Sequence, residues 1–482
     1  MSARDPDRLD HGLVLGGGFA GLVTARVLAD HFEKVTLLDR DELPDAPDHR
    51  KGTPQGPHTH ILPASGLSIL LELFPDLEDD LDEARAPAFD WTRDFIVYAD
   101  GFAPRPESGL RSRLCTRKLL EWAIRRRVRA ISNVELVPEH RVRSLITDDA
   151  GARVVGVATS SAEERQGRVS ASFVIDATGR TSRTPRWLAA LGFPEPAVDV
   201  VDIQAGSATQ TFTPPTDDGG EWAALMTRPT PENPRQAALT RIEHGIWRVS
   251  VDGISPLHPP KSAEGFMDFL RALPYAGLYE HVGRANALSK VVSYRNNANR
   301  WFHYEAMPRF PDRYAVVGDA FFHANPMYAQ GMALACQAGV TVRDELVRGL
   351  SESSSPLDGL GRRIHESLAR AYRRLWLWNI CAELTWLPSS SLHRERPFDL
   401  VRPYLQSLRR RTREEPELQI LALKITHGVL PLEAAFAPEV VDRIAQVEPD
   451  LVGPQIRELA EAAALDRLTA ELSQGPGRFE SP

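Results

Sequence analysis

The stretch Leu13-Val14-Leu15-Gly16-Gly17-Gly18-Phe19-Ala20-Gly21-Leu22 sets the architecture of this chain. An apolar strand runs into a glycine turn, and the turn opens a helical stretch over residues 22–32. A second apolar strand, Val35-Thr36-Leu37-Leu38, ends on Asp39, which completes a βαβ unit. Gly16 permits the tight turn, Gly18 lets a pyrophosphate approach the backbone, and Gly21 lets helix and strand pack closely. The helix N-terminus favours phosphate charge. Asp39, eighteen residues beyond the last glycine, is placed to accept from a ribose 2′-hydroxyl. A dinucleotide site is therefore expected.

Further along, residues 42–64 are rich in Pro, Gly and His and read as a loop, with a helical pattern over 66–74. Residues 89–105 read as strands, and an amphipathic helix is expected over 117–129, with Leu119, Leu120, Ala123, Ile124 and Val128 on its apolar side. The alternating segments 134–137, 142–147 and 154–158 suggest a β-meander that leads into Phe173-Val174-Ile175-Asp176-Ala177-Thr178-Gly179. Segments 205–212, 222–226, 237–242 and 246–251, separated by Pro and Gly, predict an inserted antiparallel sheet. The chain returns to an apolar strand, Tyr314-Ala315-Val316-Val317-Gly318, then to a long helix over 331–350 and a helical remainder carrying Trp376, Trp378 and Trp386.

The 482 residues are 42% hydrophobic and 25% charged, ordinary globular values. The net charge of −8 gives no electrostatic support to a nucleic-acid or polybasic membrane-surface partner. Cys115, Cys336 and Cys381 lie far apart without metal-ligand spacing, so neither a disulfide framework nor a metal site is expected, and the chain suits a reducing cytoplasm. No apolar run approaches the roughly 18 residues of a membrane span.

The glycine turn does not distinguish FAD from NAD. Gly318-Asp319 after an apolar strand, and Pro326-Met327-Tyr328-Ala329-Gln330-Gly331-Met332 leading into a helix, favour FAD. A ribityl hydroxyl would donate to Asp319, and the positive helix end would face the N1/C2-carbonyl edge of a flavin. Arg50-x-Gly52-x-Pro54-Gln55, with His58 and His60, forms a further polar loop in which Arg50 suits phosphate as a bidentate donor. No carboxylate or cysteine at metal-like spacing completes a site with the two histidines.

Together with Arg117-x-Leu119-Leu120-Glu121 and Asp176-Ala177-Thr178-Gly179-Arg180-x-Ser182-Arg183, these motifs resemble the FAD-dependent monooxygenases of the para-hydroxybenzoate hydroxylase superfamily. Within that superfamily the chain is most similar to the flavin-dependent epoxidases of polyether antibiotic biosynthesis, relatives of squalene epoxidase. The match covers about residues 10–350 in order and weakens in the helical tail.

The resemblance implies an α/β fold: a Rossmann-like FAD-binding domain of the glutathione-reductase type (10–88, 112–196 and 311–352), an inserted antiparallel β-sheet substrate domain (89–111 and 197–310) and a helical C-terminal region (353–482). It implies that Gly16, Gly18, Gly21, Asp39, Arg40, Arg50, Lys51, Gly52, Gln55, Arg117, Gly179, Asp319, Pro326, Gly331 and Met332 bind the cofactor. Trp222 and Trp247 are candidates for a substrate-pocket wall, with simple core packing as the alternative, and His60 is the nearest candidate for proton handling, set against a structural hydrogen-bonding role.

The reaction implied uses dioxygen and a flavin C4a-hydroperoxide to oxygenate an apolar natural-product intermediate, free or carrier-bound, by alkene epoxidation. Aromatic hydroxylation and flavin-dependent dehydrogenation are the alternatives. Electrons would come from NAD(P)H directly or through a separate flavin reductase. Two departures stand out. Ala177-Thr178-Gly179 replaces the Asp-Gly pair linked to NADPH use, and Ala329 stands where the epoxidases tend to have Gly. Flavin-dependent halogenases carry Trp-x-Trp-x-Ile-Pro and a catalytic lysine, whereas Trp376-Leu377-Trp378-Asn379-Ile380-Cys381 lacks the Ile-Pro ending.

Overall fold

The computed structural model describes residues 8–162, 166–218, 220–295 and 297–473. Its first sheet is parallel, in the order Tyr314–Val316, Phe173–Asp176, Leu9–Leu15, Phe32–Leu38, Val134–Val137. These strands are near-continuous apolar runs because the sheet is buried, with the helix Phe19–Ala29 and the strand Val154–Ser160 both packed against it. Leu13, Val14, Val35, Phe173, Val174, Ile175 and Tyr314 are all fully buried. The helix Phe19–Ala29 follows the glycine turn, and Arg117–Arg129 is capped by Thr116, whose hydroxyl accepts from Leu119 N at 3.3 Å.

Val134–Val137 corrects one expectation. It lies parallel to Phe32–Leu38 at the edge of the first sheet and not in the meander, which consists of Arg141–Thr147, Val154–Ser160 and Gly167–Ser170. A short apolar strand bears no local mark of its partner. Here the preceding helix returns the chain to the sheet in the parallel sense.

The large sheet runs Asn286–Ala287, Gly206–Thr213, Trp247–Gly253, Arg235–Arg241, Ala224–Thr227, Phe95–Tyr98, with Val292–Tyr294 also paired to Gly206–Thr213. It is antiparallel except where Phe95–Tyr98 lies parallel to Ala224–Thr227. Its two faces differ by the period of two along each strand. Ala208, Leu239, Trp247, Val249 and Val251 point to one side and pack with Phe266, Phe269 and Leu270 of the helix Ala263–Arg271. Ser207, Gln236, Ser250 and Asp252 alternate with them and face a cleft.

A small sheet of Val198–Val201, Asn299–Phe302 and Phe322–His323 links the two larger ones. The long helix Gly331–Glu352 follows, and the rest of the chain is helical through Leu360–Glu383, Phe398–Arg411, Pro416–Thr426 and shorter helices. Of the expected C-terminal region, residues 474–482 lie outside the described residues. No helix among the described residues is long and apolar enough to cross a membrane.

Candidate functional site

One cleft of about 530 Å³ runs from the glycine turn, past Asp319 and the start of the long helix, to the polar face of the large sheet. It lies at the carboxyl ends of the parallel strands, where open α/β sheets hold their ligands.

At the turn, Gly16 has φ +99°. A Cβ on Gly21 would collide with the Gly16 carbonyl oxygen, whereas one on Gly18 would meet only Arg50 Nη2, 4.0 Å away. Gly21 is therefore a packing glycine away from the cleft wall, and Gly18 keeps a space open inside it. Asp39 ties the turn together, because its Oδ2 accepts from Gly17 N at 2.5 Å and its Oδ1 from Asp41 N at 2.7 Å.

Arg50 is buried beside this acid. Its Nε donates to Glu121 at 2.8 Å, its Nη1 to Asp39 at 3.3 Å and its Nη2 to the Gly17 carbonyl at 3.1 Å. Burial works against its charge, but Glu121, Asp39 and Asp41 outweigh that and raise its pKa. Most of its donors are thus engaged by the chain, which corrects the expectation of a free bidentate phosphate ligand. Arg50 staples the loop to the strand end, helped by Gly52 N, which donates to Asp41 at 2.5 Å. Lys51 is exposed and absent from the cleft wall, a second correction. Its side chain follows the loop outward, while Arg50 turns in toward its carboxylates.

At the middle of the cleft, Asp319 Oδ2 sits 3.1 Å from His323 Nδ1. Burial would raise its pKa, but His323, Arg117 and Arg180 prevail and hold it below the usual carboxylate range. Asn325 accepts from Met327 N at 3.1 Å and so caps the turn Pro326–Tyr328. Ala329 then adopts a left-handed conformation, φ +55°, before the helix begins at Gly331. The first-turn N–H groups of that helix have no intrahelical acceptor, and the Gln330 side chain does not cap them. With Gly331 and Met332 on the wall, this helix end offers donors and positive potential to an anionic edge.

Between turn and sheet, Tyr294 Oη accepts from Gln55 Nε2 at 3.0 Å and also from Arg180. His60 Nδ1 donates to the His58 carbonyl at 2.9 Å, leaving a lone pair on Nε2. Burial, then the Arg117 charge, push its pKa down to about 3. The hydrogen bond to the His58 carbonyl fits the structural role set against proton handling for this residue. His58, at about 4 through burial and Arg248, is likewise neutral.

Trp222 and Trp247 do not line the cleft. Both are buried in the core on the opposite face of the large sheet, their rings 5.6 Å apart. Strand parity decides this for Trp247, since Trp247, Val249 and Val251 share one face while Arg248, Ser250 and Asp252 share the other. The same alternation was the signal for residues that motif reading missed, namely Ser207, Gln236, Ser250 and Asp252.

No family model matches the chain. Protein Rv3254 of Mycobacterium tuberculosis (strain ATCC 25618 / H37Rv) is 30% identical over 422 residues, spanning 81% of this chain and 86% of that protein. The chain belongs to the Rv3254 family. The solved structures similar to this family member include a flavoprotein/dehydrogenase from Cytophaga hutchinsonii, with a TM-score of 0.65 and 12% identity over 96% of this chain and 100% of that one. Flavin-dependent brominase Bmp2 matches with a TM-score of 0.61 and 14% identity over 90% and 99% of the two chains. A mutant form of 2-methyl-3-hydroxypyridine-5-carboxylic acid oxygenase matches with 0.57 and 17% over 81% and 95%. At these identities the likeness is one of fold, and the fold is that of FAD-binding monooxygenases.

The residues present suit such a dinucleotide. Gly18 leaves backbone open to a pyrophosphate, Asp39 stands at the end of the second strand, Asp319 lies mid-cleft, and a helix N-terminus closes the far end. His58 Nε2, buried on the same wall, has no partner within the protein.

Proposed function

We propose that this protein is an FAD-dependent monooxygenase that epoxidises a carbon–carbon double bond of a largely apolar intermediate. The observation that carries the reading is the continuity of one cleft from the dinucleotide turn at Gly18, through Asp319 and Gly331, to the wall made by Met226 and Ala238 of the large sheet. Bound and reduced, FAD supplies the electrons that activate dioxygen. The net reaction consumes dioxygen, two electrons and two protons, places one oxygen atom on the substrate and releases the other as water.

The chain's own residues bind, orient and exclude water. Gly18 admits the pyrophosphate, Asp39 accepts from the adenosine ribose, and Asp319 accepts from the ribityl chain. The first-turn N–H groups at Gly331 and Met332 favour negative charge at the reacting end. Met226, Ala324, Met327 and Met332 give that end an apolar lining against the water that would divert activated oxygen to peroxide. Oxygen transfer to an isolated alkene needs no protein base, in keeping with the neutral His60. NAD(P)H, directly or through a separate flavin reductase, is the proposed electron source.

Aromatic hydroxylation is the second reading, favoured by Asp252, a carboxylate on the cleft wall that could take a phenolic proton. The brominase likeness does not extend to chemistry. Among the described residues no lysine lines the cleft, and Trp376 and Trp378 are buried in the helix Leu360–Glu383. The test supplies the holoenzyme with reductant, ¹⁸O₂ and a panel of alkenes and phenols. Label in an epoxide supports the proposal, label only on an aromatic carbon replaces it with the second reading, and oxidation without label moves the protein to the dehydrogenases.

A further inference from the structure

Four strands of the large sheet place Tyr294, Ser207, Asp252 and Gln236 directly opposite one another in a single row across the cleft wall. Ser207 Oγ donates to Asp252 Oδ1 at 2.5 Å, and Gln236 Nε2 donates to Oδ2 at 3.2 Å. Ser207 in turn accepts from Asn297 Nδ2 at 3.4 Å. The direction of this relay is fixed, because a serine hydroxyl that donates to a carboxylate must accept from the amide, which assigns the other Asn297 amide atom as Oδ1. That oxygen is closed off from solvent and has no partner in the protein.

Ser207 and Gln236 thus turn donors toward Asp252, whose remaining lone pairs stay available on the cleft wall. Burial raises the Asp252 pKa against the hydrogen bonds from Ser207 and Gln236. A part-buried carboxylate with open lone pairs selects an occupant that donates. Beside it lie Met226, Ala238 and Met327, which suit hydrocarbon.

We infer that the substrate is amphipathic, and that Asp252 is a specificity-determining residue which accepts a hydrogen bond from a hydroxyl at its polar end. The inference rests on the monooxygenase reading only in taking this cleft as the substrate's.

The test uses the holoprotein with farnesol, farnesyl methyl ether and farnesylamine as probes, their affinities read from perturbation of the flavin absorbance. Farnesol should bind about tenfold or more tightly than the ether, the loss expected when a buried carboxylate loses its donor. In Asp252→Ala the two should bind alike, with the affinity for the ether unchanged. Asp252→Asn serves if the alanine variant does not fold, and it should lose most of the same preference. Equal binding of farnesol and ether to the unmodified protein, no binding of farnesol, tighter binding of farnesylamine, or a preference that survives in a folded variant would each overturn the inference. Protein lacking FAD would instead remove the monooxygenase reading, and binding would then be followed by tryptophan fluorescence.

Discussion

The Glu383 carboxyl, fully buried in the helix Leu360–Glu383, accepts a 2.7 Å hydrogen bond from Asn325 Nδ2 directly beneath the Pro326–Tyr328 turn. Asn325 also receives its own anchor, donating its backbone N–H to Asn299 Oδ1 at 2.8 Å. The loop at the reacting end of the cleft thus rests on the Glu383 acid together with Asn299.

Burial pushes that acid up from 4.5 to about 8, opposed by Asn325 and Asn299. Below 4.5 the folded and unfolded chains are both protonated at this residue. Between 4.5 and about 8 the unfolded chain sheds a proton that the folded protein keeps, so this group's contribution to stability falls as pH rises through that window and levels off above it. Glu383→Gln keeps the acceptor and removes the titration. Urea denaturation should find the variant near wild type at about pH 5 and more stable than wild type at about pH 8.5, by on the order of 2–4 kcal/mol. Parallel pH profiles for the two proteins would count against a buried neutral acid.

Ala329 holds φ +55°, a conformation costing a non-glycine residue about 1 kcal/mol. Ala329→Gly should therefore raise the urea midpoint by the equivalent of about 0.5–1 kcal/mol. A lower midpoint would mean that the extra chain entropy glycine brings to the unfolded state outweighs the relief.

The two motif glycines should separate stability from binding. Gly21→Ala forces a methyl group onto the Gly16 carbonyl and should lower stability by about 2–3 kcal/mol. Gly18→Ala meets only Arg50 at 4.0 Å, so its melting behaviour should match wild type in the flavin-free state while FAD retention weakens. Equal loss of stability in both variants would contradict the different roles assigned to them.

Asp319→Ala removes an acceptor that His323, Arg117 and Arg180 keep ionised. FAD should bind more weakly by about 1.5–3 kcal/mol, the worth of a charge-assisted hydrogen bond. Fluorescence titration of the flavin-free variant measures it, and unchanged affinity would place the carboxylate outside the cofactor's reach.

Short-range chemistry was legible in the sequence. The glycine turn, the 117–129 helix and the helix start at Gly331 depend on local backbone requirements, and all three appear where the motifs put them. What escaped depends on pairing between distant segments. Arg50 reads as a phosphate ligand until Glu121, seventy-one residues away, is seen against it. Trp247 reads as a pocket wall until the helix Ala263–Arg271 covers its face. Asp252 carries no motif, and its place on the wall follows only from strand parity together with knowing which face is covered.

The direct measurement is the flavin content of the purified, unmodified protein. Heat denaturation should release one FAD per chain into solution, identified by mass and fluorescence, from a yellow preparation. A colourless protein that takes up no added FAD would contradict the assignment of the Gly18–Asp319–Gly331 cleft as a flavin site, and with it the proposed chemistry.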